Sequence, residues 1–171
     1  MSPTIQANRW SVGPDEFAVR IILPDLKGFF DSLPIIGTFP KSRTLIIEPG
    51  TKALVIDDGL VVGQFDAGSY TLETFLERLQ FWRNKQATVF LTRSEDVPIE
   101  SKASKIPCAD NVCFDIAYRW TIQIADILPF MKNLMGAGDR LAVSELVRLI
   151  APLVGQAVYA AVGSKIGRAH V

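Results

Sequence analysis

A chain of 171 residues is long enough to bury the core of one domain. Its 18 basic and 18 acidic side chains balance, so no excess of positive charge favours nucleic acid, and we expect no nucleic-acid partner. Cys108 and Cys113 have no histidine at zinc-ligand spacing, because the one histidine is His170 in the tail. Two buried thiols are therefore favoured over a disulfide, and we expect no metal and no cofactor.

The N-terminus does not resemble a signal peptide, because residues 1–10 contain Arg9 and polar side chains without an apolar stretch behind them. A cytoplasmic setting is the default expectation. The longest uncharged stretch, residues 149–164, is shorter than the ~20 apolar residues of a membrane span, and it contains Pro152, Gly155 and Gln156. We therefore expect any membrane contact to be peripheral.

Residues 1–14 are polar, although Trp10 could anchor them to the body of the protein. A short amphipathic helix follows, with Asp25 as its N-cap and an apolar stripe at helical spacing. The stripe consists of Leu26, Phe29, Phe30 and Leu33. It could pack in the core, contact a partner chain or lie peripherally on a membrane. Four acidic and two basic residues between positions 15 and 31 disfavour lipid, so core packing is preferred to a partner contact, and a partner contact to a membrane contact.

Residues 44–72 contain three short apolar runs, at 45–48, 53–56 and 60–65, separated by distinct turn signals. Pro49-Gly50 ends the first run, since proline sets φ for a turn and glycine accepts φ > 0. Asp58-Gly59 is a dipeptide that tight hairpins prefer. Residues 65–68 form a third turn, and 69–72 leave it extended. The pattern predicts a β-meander.

Further along the chain, residues 72–82 have apolar side chains at helical spacing behind Thr71, and a helix or a less regular crossing is expected there. Alternation predicts a strand over 86–92 and an extended pair over 97–105, with Pro98 at an edge or strand start. The strongest strand is 111–125. Its even-numbered side chains, among them Phe114, Tyr118 and Trp120, are expected to form one buried face.

Two helices are predicted after this strand. Asp126 caps the first, 127–135, with Pro129 in its first turn. Asp139 caps the second, 139–162, in which Pro152 should introduce a kink. Beyond Arg148 this helix is apolar or small on most sides, so either the sheet or another copy of the chain should cover it. The candidate interface residues are Leu149, Leu153, Val158, Tyr159 and Val162. Leu153, Val158 and Tyr159 are expected to be partly exposed in a single chain.

Candidate catalytic residues are few. Asp57, Asp58 and Asp66 lie in turns, where aspartate commonly bonds the backbone, and Asp115 lies on the polar side of the long strand. No serine, histidine or glycine-rich pattern of a known catalytic or phosphate-binding motif occurs. We therefore expect no enzyme, no catalytic residues and no cofactor-binding or metal-binding residues.

The order of these features resembles the SPFH or band 7 domain, the module of stomatins, prohibitins and flotillins, and is most similar to its soluble bacterial virion-core-protein-like branch. The resemblance covers about residues 44–162. It rests on Pro49-Gly50, the run 53–56, Asp58-Gly59, the run 60–65, the Gly-x-Tyr-Thr-Leu exit at 68–72, the Asp-Asn-Val entry at 110–112 and Asp126. Many members have an apolar anchor before the domain and a coiled coil after it. No heptad tract occurs here, so the chain is expected to be a short form or a fragment.

Together, the patterns and the resemblance imply an α+β fold, in which a curved antiparallel sheet carries C-terminal helices on one face. The expected division is an N-terminal segment 1–43, a domain 44–163 and a tail 164–171. The resemblance implies a non-catalytic scaffold that forms homo-oligomers and organises partner proteins at or near a membrane surface. The alternatives are a small-ligand or lipid-binding module with an apolar pocket between sheet and C-terminal helix, and an enzyme whose site a single sequence does not reveal.

Overall fold

The computed structural model describes residues 5–6, 8–33, 35–36, 42–79, 86–107, 113–136 and 138–166. The fold is mixed α+β with antiparallel sheets and a C-terminal helix, which confirms the predicted class. The described strands, in chain order, are β1 (Ile5–Gln6), β2 (Arg9–Trp10), β3 (Glu16–Leu23), β4 (Ile35–Ile36), β5 (Ser42–Ile47), β6 (Thr51–Asp57), β7 (Leu60–Phe65), β8 (Gly68–Thr71), β9 (Ala87–Arg93), β10 (Val97–Pro107), β11 (Cys113–Ile122) and β12 (Arg140–Ala142). The described helices are α1 (Leu26–Ser32), α2 (Leu72–Arg78), α3 (Ile127–Phe130), continued as a π-helix over Met131–Met135, and α4 (Val143–Ile166).

The chain forms two compact units, each built from two separate pieces. Unit 1 contains Met1–Glu95 and Asp126–Ala142, and unit 2 contains Asp96–Ala125 and Val143–Val171. This division differs from the expected boundary after residue 43. The physical reason is strand pairing, because β3 from the N-terminal segment pairs with both β9 and β12.

Unit 1 contains two five-stranded sheets. One has the order β12-β3-β9-β6-β7 and is antiparallel throughout. The other has the order β1-β2-β5-β4, with β8 also paired to β5, and its β2–β5 pair is parallel. The predicted strands of the 44–72 segment are all present, but they do not form one meander. Since β5 pairs with β8 and β6 pairs with β7 and β9, the four strands belong to two sheets.

The hairpin between β6 and β7 has the predicted turn. Asp58 has φ 49° and Gly59 has φ 80°, so both residues occupy the left-handed region that tight hairpins require. A Cβ atom added at Gly59 would have no neighbouring heavy atom within 4 Å, so glycine is needed here for its φ angle and not for space. Local turn chemistry therefore sets the position of this hairpin.

Aromatic rings from separate elements meet in the core of unit 1. Phe65 of β7 stacks on Phe75 of α2 with ring centroids 4.1 Å apart, and Phe30 of α1 lies 4.9 Å from Phe75. Trp10 contacts Phe75 edge-on at 6.0 Å and is completely buried. The predicted anchoring of the N-terminal segment through Trp10 is thus observed.

The helix α1 begins at its predicted cap, where the Asp25 carboxylate accepts a hydrogen bond of 3.0 Å from the Gly28 N–H. Phe30 and Leu33 belong to the buried core, and Phe29 packs against it half-buried. The side chain of Leu26 lies outside the described residues. We therefore correct the candidate membrane or partner contact: Phe30 and Leu33 are not accessible in this fold, because they fill the space beside Phe75 and its neighbours.

Two of the remaining helices begin at the caps indicated by the sequence, and one begins later than expected. Thr71 caps α2 through a 3.3 Å hydrogen bond from the Thr74 N–H, and Asp126 caps α3 through a 3.1 Å bond from the Leu128 N–H. Asp139 does not cap the last helix. It binds the Arg20 guanidinium at 3.3 Å and precedes β12, which adds to the edge of β3, so α4 begins at Val143.

Unit 2 consists of the β10–β11 hairpin and α4, and α4 packs against β10. The pairs run from Val97↔Ile122 to Pro107↔Cys113, interrupted by a bulge between Ala103 and Ile106. The predicted extended pair over 97–105 is a single strand. At the bulge Lys105 has φ 58°, and its N–H donates to the Asp115 carboxylate at 3.0 Å.

Candidate functional site

The surface with the most exposed large apolar side chains in unit 2 lies on α4. Leu153 is 65% exposed, Leu149 48% and Tyr159 43%, while Val158 and Val162 are half-buried. The partial exposure expected for Leu153, Val158 and Tyr159 in a single chain is therefore observed. Exposed apolar surface on a long helix is unfavourable in water, which makes this side of α4 a candidate contact surface.

The length of α4 also changes the membrane expectation. One described helix stretch, Val143–Val162, is long and apolar enough by length and composition to cross a membrane, and 6% of its most apolar window is buried. The expectation that no stretch could span was based on the uncharged residues alone. Glu145 and Arg148 lie near the start of the helix, where charged side chains can reach an interface at lower cost than at the bilayer centre. Length and composition alone do not place α4 in a membrane.

The β11 strand of unit 2 has the predicted alternation, but its apolar face is less covered than expected. Ile116, Tyr118 and Trp120 are half-buried, and Phe114 is 38% exposed. Among the strand's described residues only Ile122 is buried. The Trp120 indole N–H donates to the Ser101 hydroxyl at 3.0 Å, which fixes the ring across the hairpin. The expected buried face is thus corrected, because a two-stranded sheet and one helix supply too little surface to bury it.

A groove of about 580 Å³ runs between the hairpin and α4. Small residues of α4, including Ala151, Gly155 and Ala160, line one side, and the phenol of Tyr118 lines the other. A Cβ atom at Gly155 would lie 3.7 Å from the Tyr118 hydroxyl oxygen, so the helix approaches the strand closely here. The groove combines an apolar wall with a few hydroxyl and amide groups, the composition of many small-ligand sites.

Charged side chains occupy the opposite face of the hairpin. The Arg119 guanidinium pairs with the Glu100 carboxylate across the strands, and both side chains are mostly exposed. The Asp115 carboxylate satisfies the Lys105 N–H at the bulge. Ala117 lies between Asp115 and Arg119 on the same face and is also exposed. The sequence reasoning assigned Asp115 to the polar side correctly but found no role for it.

The candidate carboxylates are divided between the two units. Asp57, Asp58 and Asp66 belong to unit 1 and Asp115 to unit 2. Asp58 occupies the hairpin turn, and Asp66 lies 3.7 Å from the Lys52 ammonium. Among the described residues no group of three His, Cys, Asp or Glu side chains could hold a metal ion.

Cys113 is exposed and free, which corrects the expectation of two buried thiols, and Cys108 lies outside the described residues. Phe114 is the residue whose exposure sequence reasoning missed. Phe114 lies near the start of β11, and alternation alone does not tell which positions along a strand are covered.

Two surfaces of unit 2 offer different chemistry, the burial of apolar side chains on α4 and the pairing of exposed charges on the hairpin. The Leu149, Leu153 and Tyr159 side chains offer the first, and Asp115 and Arg119 offer the second. Comparisons of the chain with known protein families, with curated proteins and with solved structures find no match.

Proposed function

We propose that the chain is a non-catalytic scaffold module of the SPFH or band 7 type, which self-associates through unit 2 and gathers partner proteins at or near a membrane. The observation that carries the proposal is the exposure of Leu149, Leu153 and Tyr159 on α4. The turn order of residues 44–72 and the Asp-Asn-Val sequence at 110–112 before the long strand support the type of scaffold by resemblance. A cytoplasmic location with peripheral membrane contact belongs to the same proposal.

Burial of exposed side chains supplies the free energy of association. Each large aliphatic or aromatic side chain that leaves water contributes about 1.5–3 kcal/mol before entropic costs. Leu149 and Leu153 are four residues apart and therefore share one side of the helix. Tyr159 lies about 120° round the helix from Leu153 and lines the groove, so a second chain must also reach the groove to cover its ring. Affinity then depends on area and on a few anchors, and no bond-making step is needed.

Light scattering across a range of concentrations, with and without liposomes, tests the proposal. We expect an oligomer for the native chain and a monomer for Leu153→Asp. The matched control is Leu60→Asp, because Leu60 of β7 is 67% exposed, as Leu153 is, but lies in unit 1. A native chain that stays monomeric in both conditions, or a Leu60→Asp chain that dissociates as Leu153→Asp does, would contradict the proposal.

The groove beside α4 favours a second candidate, a module that binds small apolar ligands. Its volume of about 580 Å³ lies within the ~300–1,000 Å³ range of ligand sites. Titration with a fluorescent fatty acid tests this candidate. Ala151→Trp should fill the groove and abolish binding, whereas Leu60→Trp should leave binding unchanged. Equal binding by both variants would exclude the groove as the ligand site.

A further inference from the structure

The outer edge of β11 is the feature of unit 2 that neither proposed function uses. In the described part of the chain, β11 pairs with β10 alone, so one edge of this ten-residue strand has no strand partner. The edge of a sheet presents unpaired N–H and C=O groups to any other extended chain. β11 is longer than most edge strands, which makes its edge an extensive template.

The two strands of the hairpin differ in how they are protected against such pairing. β10 contains Pro98, Pro107, the bulge before Ile106 and the lysines Lys102 and Lys105. Proline, bulges and edge lysines are the devices by which natural sheets prevent edge-to-edge pairing. β11 contains no proline, no lysine and no bulge of its own. The contrast within one hairpin indicates that the β10 edge is blocked and the β11 edge is left open.

The sequence of β11 is complementary to itself when a second copy runs antiparallel. With a two-fold axis through Ala117, Asp115 of each copy lies opposite Arg119 of the other. An axis through Ile116 would place Asp115 opposite Ala117, and an axis through Tyr118 would place it opposite Thr121. Either shift would lose both ion pairs. Opposite charges directly across antiparallel strands stabilise the pair, and like charges destabilise it. Charge therefore selects one register.

The apolar face agrees with the same register. Phe114 lies opposite Trp120 of the second copy, and Ile116 lies opposite Tyr118, so each aromatic ring meets an apolar neighbour. Phe114 is exposed in the single chain and would be covered there. On the polar face, each row across the inner strands reads Glu100, Arg119, Asp115, with alternating sign, and the main-chain N–H of Lys105 bonds the Asp115 carboxylate at the end of the row. The small side chain of Ala117 leaves room at the axis.

We propose that β11 pairs antiparallel with β11 of a second copy of this chain, about a two-fold axis through Ala117, and joins the two hairpins into one four-stranded sheet. The proposal rests on the self-association proposed above and adds a strand contact to the α4 contact, with both contacts needed for association. A self-paired strand gives an isologous dimer, in which each contact occurs twice. Strand pairing of this length buries less than the ~1,600 Å² of a standard interface, so we expect dissociation at about micromolar concentrations.

Cross-linking at the axis tests the register. In a chain carrying Cys108→Ser and Cys113→Ser, Ala117→Cys places the two thiols directly opposite, within the ~4.4–6.8 Å that Cα atoms of a disulfide span. Lys102→Cys is the matched control. Lys102 pairs with Ala117 in the hairpin, so its two copies would lie three strand spacings, about 14 Å, apart. We expect a covalent dimer for Ala117→Cys after mild oxidation and none for Lys102→Cys.

Charge exchange provides a second measurement that does not depend on cysteines. Arg119→Asp alone places aspartate opposite aspartate and should remain monomeric, and Asp115→Arg alone should do the same. An equimolar mixture of the two variants restores both ion pairs in a mixed dimer and should associate. Because each variant fails alone and recovers in the mixture, a folding defect would not give the same result.

The outcomes separate this inference from the proposed function. An oligomer that forms in light scattering without an Ala117→Cys cross-link, or without loss in Arg119→Asp, would overturn the strand pairing and leave self-association standing. Cross-linking of Ala117→Cys and Lys102→Cys to the same extent would overturn the register. A native chain that is monomeric at all concentrations would overturn both.

Discussion

At the scale of single residues, Trp10 combines complete burial with an unpaired polar atom. Its indole N–H has no hydrogen-bond partner in the described part of the protein, while its ring contacts Phe29 at 5.8 Å and Phe75 at 6.0 Å. A buried donor without a partner costs about 1–3 kcal/mol. Trp10 therefore stabilises the fold through its volume and its ring contacts, and its unpaired N–H subtracts from that stabilisation.

Replacing Trp10 separates these two contributions. Trp10→Ala should lower the free energy of unfolding by about 3–5 kcal/mol, because it leaves a large cavity. Trp10→Phe loses less volume and also removes the unpaired N–H, so we expect a loss of less than about 2 kcal/mol. Urea denaturation of both variants measures the difference. Equal losses would mean that the indole N–H contributes a hydrogen bond after all.

Gly63 shows a close approach between two elements. A Cβ atom at this position of β7 would lie 2.6 Å from Leu79 Cδ2 and 2.9 Å from Phe65 Cε2. Leu79, which follows α2, is buried, so its side chain has little space to move. Glycine is needed here for space and not for its φ angle.

A double-mutant cycle tests this contact. Gly63→Ala should destabilise unit 1 by about 1–3 kcal/mol through overpacking, and Leu79→Ala by about 2–5 kcal/mol through a cavity. In the double variant the new methyl group occupies part of that cavity, so the combined loss should be smaller than the sum. Additive losses in thermal or urea denaturation would show that the two positions do not share one space.

At the scale of elements, the N-terminus of α2 holds a carboxylate in its charged form. Hydrogen bonding to the backbone N–H of Glu73 and to the Thr71 side chain lowers the pKa of Glu73 from its ordinary value of 4.5. Because the folded pKa is lowered, the stabilisation is present above pH 4.5 and is lost as the pH falls through the folded pKa. Glu73 is fully exposed, so solvent and salt screen the effect.

Thr71→Ala removes the second of these hydrogen bonds together with the helix cap. We expect the pKa of Glu73 to rise towards its ordinary value and α2 to fray, while Thr71→Ser should preserve both properties. A carboxyl-detected NMR titration of Glu73 in the three chains measures the pKa directly. An unchanged pKa in Thr71→Ala would leave the backbone N–H as the sole cause of the lowered value.

The elements that the sequence predicted are those defined by neighbouring residues. The caps Asp25, Thr71 and Asp126 and the Asp58-Gly59 turn act within three residues, so their patterns could be read directly. Asp139 had the same appearance as a cap, but its carboxylate binds Arg20, 119 positions away. A partner this distant in the sequence cannot be read from the neighbouring residues, so the prediction of Asp139 as a helix cap was wrong.

Strand partners were harder to predict than strands. Each apolar run of residues 44–72 forms a strand, yet β5 pairs with β8 and not with β6, which follows it in the sequence. Alternation reports that a strand has two faces and does not report which strand lies beside it. The candidate surface shows the same limit of sequence patterns. The exposure of Leu153 could be predicted, because its helix is apolar on most sides. The half-buried face of β11 could not, because it depends on how few elements unit 2 contains.

At the scale of the whole molecule, one piece of unit 2, Asp96–Ala125, is inserted in the sequence of unit 1. The two strands of this insertion run antiparallel, so the second strand ends beside the start of the first. Val97 pairs with Ile122 at the base of the hairpin, so the Cα atoms of these two residues lie about 5 Å apart. The core cluster of unit 1 is drawn from residues between Trp10 and Leu91. Both observations indicate that unit 1 contains what it needs to fold by itself.

A chain that ends at Ala142 and carries a three-residue Gly-Ser linker in place of residues 97–122 tests this. We expect it to unfold cooperatively in urea and to keep the near-ultraviolet circular dichroism of its packed aromatic rings. The control also lacks residues 126–142, which removes Phe130 from its contacts with Phe17 at 5.7 Å and Phe90 at 6.1 Å. It should lose more than the ~3–5 kcal/mol of a deleted core phenylalanine, because β12 and the buried Met135 and Leu141 are removed as well. A first variant without cooperative unfolding would show instead that unit 1 depends on unit 2 for its stability.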